Sequence, residues 1–350
     1  MKKELIFSGI LAVMIAVIGI AKFTLKEDIK ETKGVDVVPT MEDVITKDSS
    51  WCPTFQLVFN DLKNDIVKQD VKFDKSNTFL DNLNKEEFKE SDISSDYYYK
   101  TYGVKSIELK NKIIKGIKDK FNQKSDILDK FDFTNSSPNN YFFYSMLYRE
   151  FKYPKKFNEL DNGKFNDKYD DIKYFGIKDK DGELAKQIKV LYYNNEDDFA
   201  IKLLTTSNDE VIINKNPKGN NFREIYNNIT SKSKEYKDNE FTIDSDYFKM
   251  PYLSLNVMKE YKELEGQPIK DSEGNLIEIG TALQTIKFTL DDVGGKIKSE
   301  AGMNVMKSSI EDNKSKRYFY VDKTFAIFLK ETSKDKPYFA ARVDDIRKFQ

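Results

Sequence analysis

The stretch Thr285-Ile-Lys-Phe-Thr-Leu-Asp-Asp-Val-Gly-Gly295 and, beyond Lys296–Tyr318, the stretch Phe319-Tyr-Val-Asp-Lys-Thr-Phe-Ala-Ile-Phe-Leu329 decide the reading of this chain. Leu283 to Leu290 and Phe325 to Leu329 have the length and the β-branched and aromatic content of strands. Gly294-Gly295 reads as a turn closing the first strand, with φ > 0 at one or both glycines. The pair lacks the flanking glycines and the Lys-Ser/Thr that a phosphate-cradling loop needs. The segment after the glycines, Lys296 to Arg317, has little amphipathic order and is bounded by two apolar strands. Connections that long within a compact domain are usually functional or disordered, so the sequence points at a loop as the site.

Outward from that loop the pattern continues toward the C-terminus with Tyr338 to Val343 as a further strand. Toward the N-terminus, strand signals fall on Ile188 to Tyr193, Phe199 to Leu204, Val211 to Ile213 and Phe248 to Val257. Asp181-Gly182, Asn216-Pro217 and Glu273-Gly274-Asn275 punctuate them. Tyr141 to Phe151 reads as one nearly continuous aromatic and apolar strand, buried on both faces. Before it the period changes to that of helices. Phe55, Val58, Phe59, Leu62 and Ile66 recur behind Pro53, which predicts a helix over Pro53 to Lys68. Ile113, Ile114, Ile117 and Phe121 predict a second, weakened by Gly116. Helices first and strands later is an α+β pattern.

The chain is 350 residues long with 39% hydrophobic content, enough to bury a large core. Lys plus Arg total 58 against 59 Asp plus Glu, so net charge gives no reason to expect nucleic acid as a partner. Histidine is absent, which removes the usual neutral-pH general base, the Ser-His and Cys-His nucleophile pairs and most transition-metal sites. The single cysteine, Cys52, allows no internal disulfide and reads as a small buried residue at a helix start. Asp179, Asp181 and Gly182 hint at a calcium loop, but that register would put Ile177 and Ile188 at ligand positions. The pairs Asp197-Asp198 and Asp291-Asp292 read as solvated surface. No catalytic residue, metal or cofactor is expected.

Lys2 and Lys3 precede an apolar run from Leu5 to Ala21, ended by Lys22. Residues 1–22 therefore read as a signal peptide or membrane anchor, with residues 5–21 in the membrane and the rest of the chain extracytoplasmic, anchored or secreted. Residues 23–50, charged and without a sustained period, read as a flexible linker, leaving 51–350 as the folded domain.

The order of elements around the long loop resembles the C-terminal half of serpins. Thr285 to Gly295 looks like that family's strand leading into the hinge at the base of its reactive-centre loop. Phe319 to Leu329 with Tyr338-Phe-Ala-Ala-Arg-Val343 is similar to the strands after the loop. Met146-Leu-Tyr-Arg-Glu-Phe-Lys-Tyr-Pro-Lys-Lys-Phe157 looks like the central strand and its aromatic-proline turn. Weaker similarity covers Tyr247 to Tyr261, the helix after Pro53, and Tyr102 to Leu128. Between Lys68 and Val104 the chain is shorter than the family usually is.

The resemblance implies a serpin-like α+β fold with a large β-sheet core. It also implies an inhibitor of an extracellular serine or cysteine peptidase: the loop is cut and its hinge inserts into the main sheet as an added strand. The hinge is then Gly294, Gly295, Lys296 and Ile297, and counting along the loop puts the scissile region at Lys307, Ser308 and Ser309. Alternation sets Gly295, Ile297, Ser299 and Ala301 on one face and Lys296, Lys298 and Glu300 on the other. The charged row departs from the small residues that insertion favours, so a non-inhibitory serpin-fold binding or structural surface protein is the alternative.

Overall fold

The computed structural model describes residues 31–73, 77–134, 140–297 and 316–350, and its first strand lies where a linker was expected. Strands β1 (Asp36–Val38) and β2 (Ser49–Trp51) pair in parallel, and Val37, Val38, Met41 and Trp51 are buried. The ordered part of the chain therefore begins before Trp51, because short apolar patches between charged residues find a sheet edge to cover. The apolar run at residues 5–21 lies outside the described residues. Among the described residues no helix is long and apolar enough to cross a membrane.

Helix α1 (Thr54–Asp61) follows Pro53 and continues as a π-helical turn over Leu62–Val67 that ends at Lys68 in the left-handed region, φ 57°. This agrees with the bounds read from periodicity. Helix α2 (Thr78–Asn84) packs beside it, and strand β3 (Tyr98–Val104) leads into helix α3 (Ile107–Phe121). Ser106 caps α3 by accepting from the Leu109 amide at 3.2 Å, and Leu109, Ile113 and Ile117 form its buried stripe. A Cβ on Gly116 would stand 2.4 Å from the Tyr99 ring, so this glycine is what lets the helix lie on β3.

The aromatic run Tyr141–Phe151 is divided at Tyr148 into β4 (Tyr141–Leu147) and β5 (Arg149–Lys152). It is not one strand buried on both faces: much of β4 is half-exposed. A polar hairpin comes next, β6 (Asn158–Phe165) and β7 (Tyr169–Gly176), then short helix α4 (Gly182–Lys186), capped by Asp181. Beyond it lie β8 (Ile188–Asn195), β9 (Asp198–Leu204), β10 (Asp209–Lys215) and helix α5 (Phe222–Glu235). Phe248 to Val257, read as one strand, is likewise two, β11 (Asp246–Pro251) and β12 (Leu253–Glu260), broken at Tyr252. The remainder is β13 (Pro268–Lys270), β14 (Leu276–Glu278), β15 (Leu283–Leu290), β16 (Gly294–Ile297), β17 (Arg317–Tyr320), β18 (Phe325–Glu331) and β19 (Pro337–Val343).

These strands form a seven-stranded sheet in the order β1-β2-β19-β18-β10-β9-β8 and two four-stranded sheets, β17-β11-β7-β6 and β12-β15-β16-β5. The pairs β3-β4 and β13-β14 complete the set. The architecture is α+β. Its largest core lies on β10, β18 and β19, where Val211, Ile213, Ile327, Leu329, Phe339 and Val343 have no exposed surface. Sheet β12-β15-β16-β5 packs on it through the Phe288–Phe339 ring pair, whose centroids are 4.5 Å apart.

Candidate functional site

Gly294-Gly295 is not the φ > 0 turn the sequence suggests; neither glycine has positive φ, and both lie in β16, a strand set between β15 and β5. The turn is made instead by Asp291. Its Oδ1 accepts from the amides of Val293 and Gly294 at 2.8 and 3.0 Å, and its own amide donates to the Gly294 carbonyl at 2.8 Å. Burial raises the Asp291 carboxyl above its usual range, and the two amide bonds oppose that rise. Asp292 is not solvated surface either. It is only 6% exposed, and its Oδ2 sits 2.8 Å from Lys156 Nζ. The carbonyls of Asp292 and Val293 accept from the amides of Phe157 and Tyr153 at 2.8 and 2.9 Å, so the aromatic-proline turn holds the hairpin end.

Strand β16 has two partners. Toward β15, Leu290 faces Gly295 and Thr289 faces Lys296; toward β5, Gly294 through Ile297 face Lys152 through Arg149. Both glycines are required by close approach. A Cβ on Gly294 would stand 2.2 Å from the Phe151 carbonyl oxygen, and one on Gly295 would stand 2.2 Å from the tip of the buried Phe151 ring. Lys296, half-buried, meets Glu150 directly across the ladder at 3.0 Å. Gly295 pairs with the buried Leu290 and so lies on the core-facing side of the sheet.

Strand β5 is fixed from behind. Arg149 places its Nε and Nη2 at 2.6 and 2.5 Å from the two carboxylate oxygens of Asp209, and the Tyr338 hydroxyl donates to the same carboxylate at 2.8 Å. Both charged side chains are at most 1% exposed, and the guanidinium lies 3.2 Å over the Tyr97 ring.

Below β16 the sheet is open. Among the described strands β4 pairs with β3 alone, and β15 below Thr289 pairs with β12 alone. The facing edges line a cavity of about 200 Å³, with Phe143, Ser145 and Leu147 on one wall and Gln284, Ile286 and Phe288 on the other. Cys52, Thr54 and Phe55, where α1 begins, also line this slot, as does the segment Gln123–Ile127 after α3. Asp126 Oδ1 lies 2.8 Å from Lys287 Nζ on β15, an ion pair across the opening. Cys52 is buried as expected, and burial pushes its thiol up to about 11.

Strand β17 begins at Arg317, which is clamped on several sides. Its Nε and Nη2 bind the buried Asp246 carboxylate at 2.9 and 2.6 Å, and Nη1 reaches Asp238 at 2.9 Å and the Tyr236 hydroxyl at 3.1 Å. Nη2 also donates to the Glu240 carbonyl at 2.6 Å. Lys307, Ser308 and Ser309 lie outside the described residues. Asp197 and Asp198 are partnered rather than merely solvated: Asp197 is held by Lys215 and Lys323, Asp198 by Lys232 and the Tyr192 hydroxyl. The Arg149 and Arg317 clamps were not read from the sequence. A signal was there, because the chain has only five arginines among its 58 cations, and arginine is the cation suited to bidentate buried pairs.

No protein-family model matches the sequence, and no curated protein matches it. Solved structures do. A tumour-suppressing serpin superposes with a TM-score of 0.53 at 13% identity, covering 85% of this chain and 93% of that one. Serpin48 of the insect Tenebrio molitor gives 0.48 at 12% identity, over 85% and 92%. Serpin-12 of Manduca sexta gives 0.49 at 12%, over 86% and 93%. The α+β architecture, with β16 set between β15 and β5, and the superposition with the tumour-suppressing serpin agree: this chain has a divergent serpin-like fold.

Proposed function

We propose that this protein is an extracytoplasmic serpin-like inhibitor of a serine or cysteine peptidase, acting through cleavage of the loop between β16 and β17 rather than as an enzyme. The observation that supports this most is β16 itself: the hinge residues Gly294 to Ile297 form a strand between β15 and β5, directly above an open slot. Lengthening β16 by a few residues would pair the free edges of β15 and β4. Its core-facing row would carry Ser299 and Ala301, small enough for the slot. Cleavage near Lys307, Ser308 and Ser309 would release that segment to insert, and the gain in strand pairing and burial would hold the cut form. The apolar run at residues 5–21 supports placing the domain outside the cytoplasm, tethered or secreted.

The test is limited proteolysis of the protein with a panel of serine and cysteine peptidases, followed by mass spectrometry, denaturing gels and thermal melting. The expected result is a cut within Met303–Ile310 accompanied by an SDS-stable complex and a higher melting temperature. A cut there with neither would identify a non-inhibitory serpin-fold protein, and no cut there would remove the loop from the mechanism.

A further inference from the structure

Strands β11 and β17 run parallel and set four residues of each against the other, Asp246 with Arg317, Tyr247 with Tyr318, Phe248 with Phe319 and Lys249 with Tyr320. Alternation sends Phe248 and Phe319, at 1% and 0% exposure, into the core, and Tyr247 and Tyr318 to the outer face of the sheet, where both are half-buried. There the two phenol rings stack, with 5.1 Å between centroids and their planes 15° apart. Their backbones are pinned: the Arg317–Asp246 fork precedes the pair, the buried phenylalanines follow it, and the Tyr318 amide donates to the Tyr193 hydroxyl at 3.3 Å. Two other tyrosine pairs are in ring contact among the described residues. Tyr99 meets Tyr144, which is 2% exposed, and Tyr318 meets Tyr320 of its own strand at 62°. Among the described residues, Tyr247–Tyr318 alone joins two strands with near-parallel rings and reaches solvent on both.

Holding two phenols together makes their coupling an intramolecular event, with the high effective concentration that brings. We propose that Tyr247 and Tyr318 form an oxidative cross-linking site, at which a peroxide-class oxidant joins β11 to β17 through a dityrosine bond. Each phenol gives up one electron and its hydroxyl proton. The two radicals join through ring carbons ortho to oxygen, and each ring then passes the hydrogen of its joined carbon to its own oxygen as a proton and regains aromaticity. One peroxide takes the two electrons and two protons and leaves as two waters. The rings turn from their stack to bring those carbons together, which their outward position allows. The bond closes a loop from Tyr247 to Tyr318 in the unfolded chain and stabilises the fold as a disulfide does; with a single cysteine, the chain has no internal disulfide for that purpose. This role is independent of whether the protein inhibits a peptidase.

The experiment treats the purified full chain with hydrogen peroxide and a haem peroxidase, recovers the monomer, and reads it by dityrosine fluorescence, peptide mass spectrometry and thermal melting. The expected product carries the peptides of Tyr247 and Tyr318 joined and two hydrogens lighter than their sum, and it melts higher than the untreated protein by roughly 5 °C. Met258, 46% exposed, takes up oxygen under the same conditions and gains mass, which distinguishes it from the joined peptide. Tyr247→Phe and Tyr318→Phe each keep a ring in the stack and remove a phenol, so both should melt near the parent before treatment and lose the monomer fluorescence after it. Tyr320→Phe should keep the fluorescence. Undiminished fluorescence in Tyr247→Phe, coupling found only between separate molecules, or a bond between Tyr318 and Tyr320 in place of the cross-strand one overturns the site. A cross-linked monomer that melts no higher than the parent overturns its stabilising role.

Discussion

Replacing Arg317 with alanine tests whether the start of β17 is held as firmly as its geometry implies. Arg317 makes a two-pronged contact with Asp246 at 2.9 and 2.6 Å, and the Asp246 side chain is 0% exposed. Truncation strands that carboxylate in a place water does not reach, and removing one partner of a buried pair costs about 3–5 kcal/mol. For a chain of this size that corresponds to a fall in melting temperature of roughly 4–7 °C. Arg317→Lys keeps the charge but loses the fork, and it forfeits at least one charge-assisted hydrogen bond, about 1.5–3 kcal/mol. Asp246→Asn still offers an oxygen to the Thr242 amide, which now donates to the carboxylate at 2.6 Å, so its cost should be smaller than that of the arginine truncation. Urea and thermal unfolding of the two single variants and the double variant give a coupling energy, expected to be at least about 2 kcal/mol. If Arg317→Ala costs under about 1 kcal/mol, or if the two changes simply add, the clamp is not what fixes β17.

Three other outcomes can be measured at the hinge and the slot. Gly295→Ala places a methyl 2.2 Å from the Phe151 ring tip, so β16 should leave the sheet; hydrogen exchange at residues 295–297 should accelerate, and Phe151→Leu should restore protection. Undiminished protection in the single variant would contradict the packing argument. The Asp291 carboxyl is raised by burial, so its native form favours the proton. Its contribution to stability is complete below the unfolded range near pH ~4 and is lost as pH rises through the higher folded value. Asp291→Asn, which keeps an acceptor for the Val293 and Gly294 amides, should therefore melt higher than the parent at neutral pH, with the gap closing toward pH ~4; a gap independent of pH would refute this. The Cys52 thiol, buried and pushed up to about 11, should react with a thiol reagent only on unfolding, and rapid labelling of the native protein would show that the slot is more open than its geometry implies.

Much of the fold was legible where burial enforces a period. Strand Leu283–Leu290 was read to the residue because Gln284, Ile286, Phe288 and Leu290 face the core in alternation. The stripe Ile113, Ile117 was enough to find α3. The elements that escaped lack such a stripe. Strand β6, Asn158-Glu-Leu-Asp-Asn-Gly-Lys-Phe165, is a sheet edge with most of its residues exposed or half-exposed, so nothing in it alternates cleanly. The breaks at Tyr148 and Tyr252 escaped for a different reason. The apolar run continues through both, but the partner changes: β4 pairs with β3 while β5 pairs with β16, and β11 pairs with β7 and β17 while β12 pairs with β15. Periodicity reports which face is buried and is silent about which strand lies alongside. The glycine pair illustrates the same limit. A glycine that admits a neighbouring backbone and one that turns the chain are identical in sequence, and only the placement of Phe151 distinguishes them.

Strands β16 and β17 differ in how they are held, and the difference sets a direction. On the β17 side, Arg317 is locked by a buried carboxylate, a second carboxylate, a hydroxyl and backbone carbonyls. On the β16 side the ladder is four residues long, two of them glycines, with a partly exposed Lys296–Glu150 pair at its open end. Breaking the first means stranding a buried charge; breaking or extending the second exchanges hydrogen bonds along an existing register. Any rearrangement after a cut between them should therefore propagate from β16 into the slot while β17 stays in place.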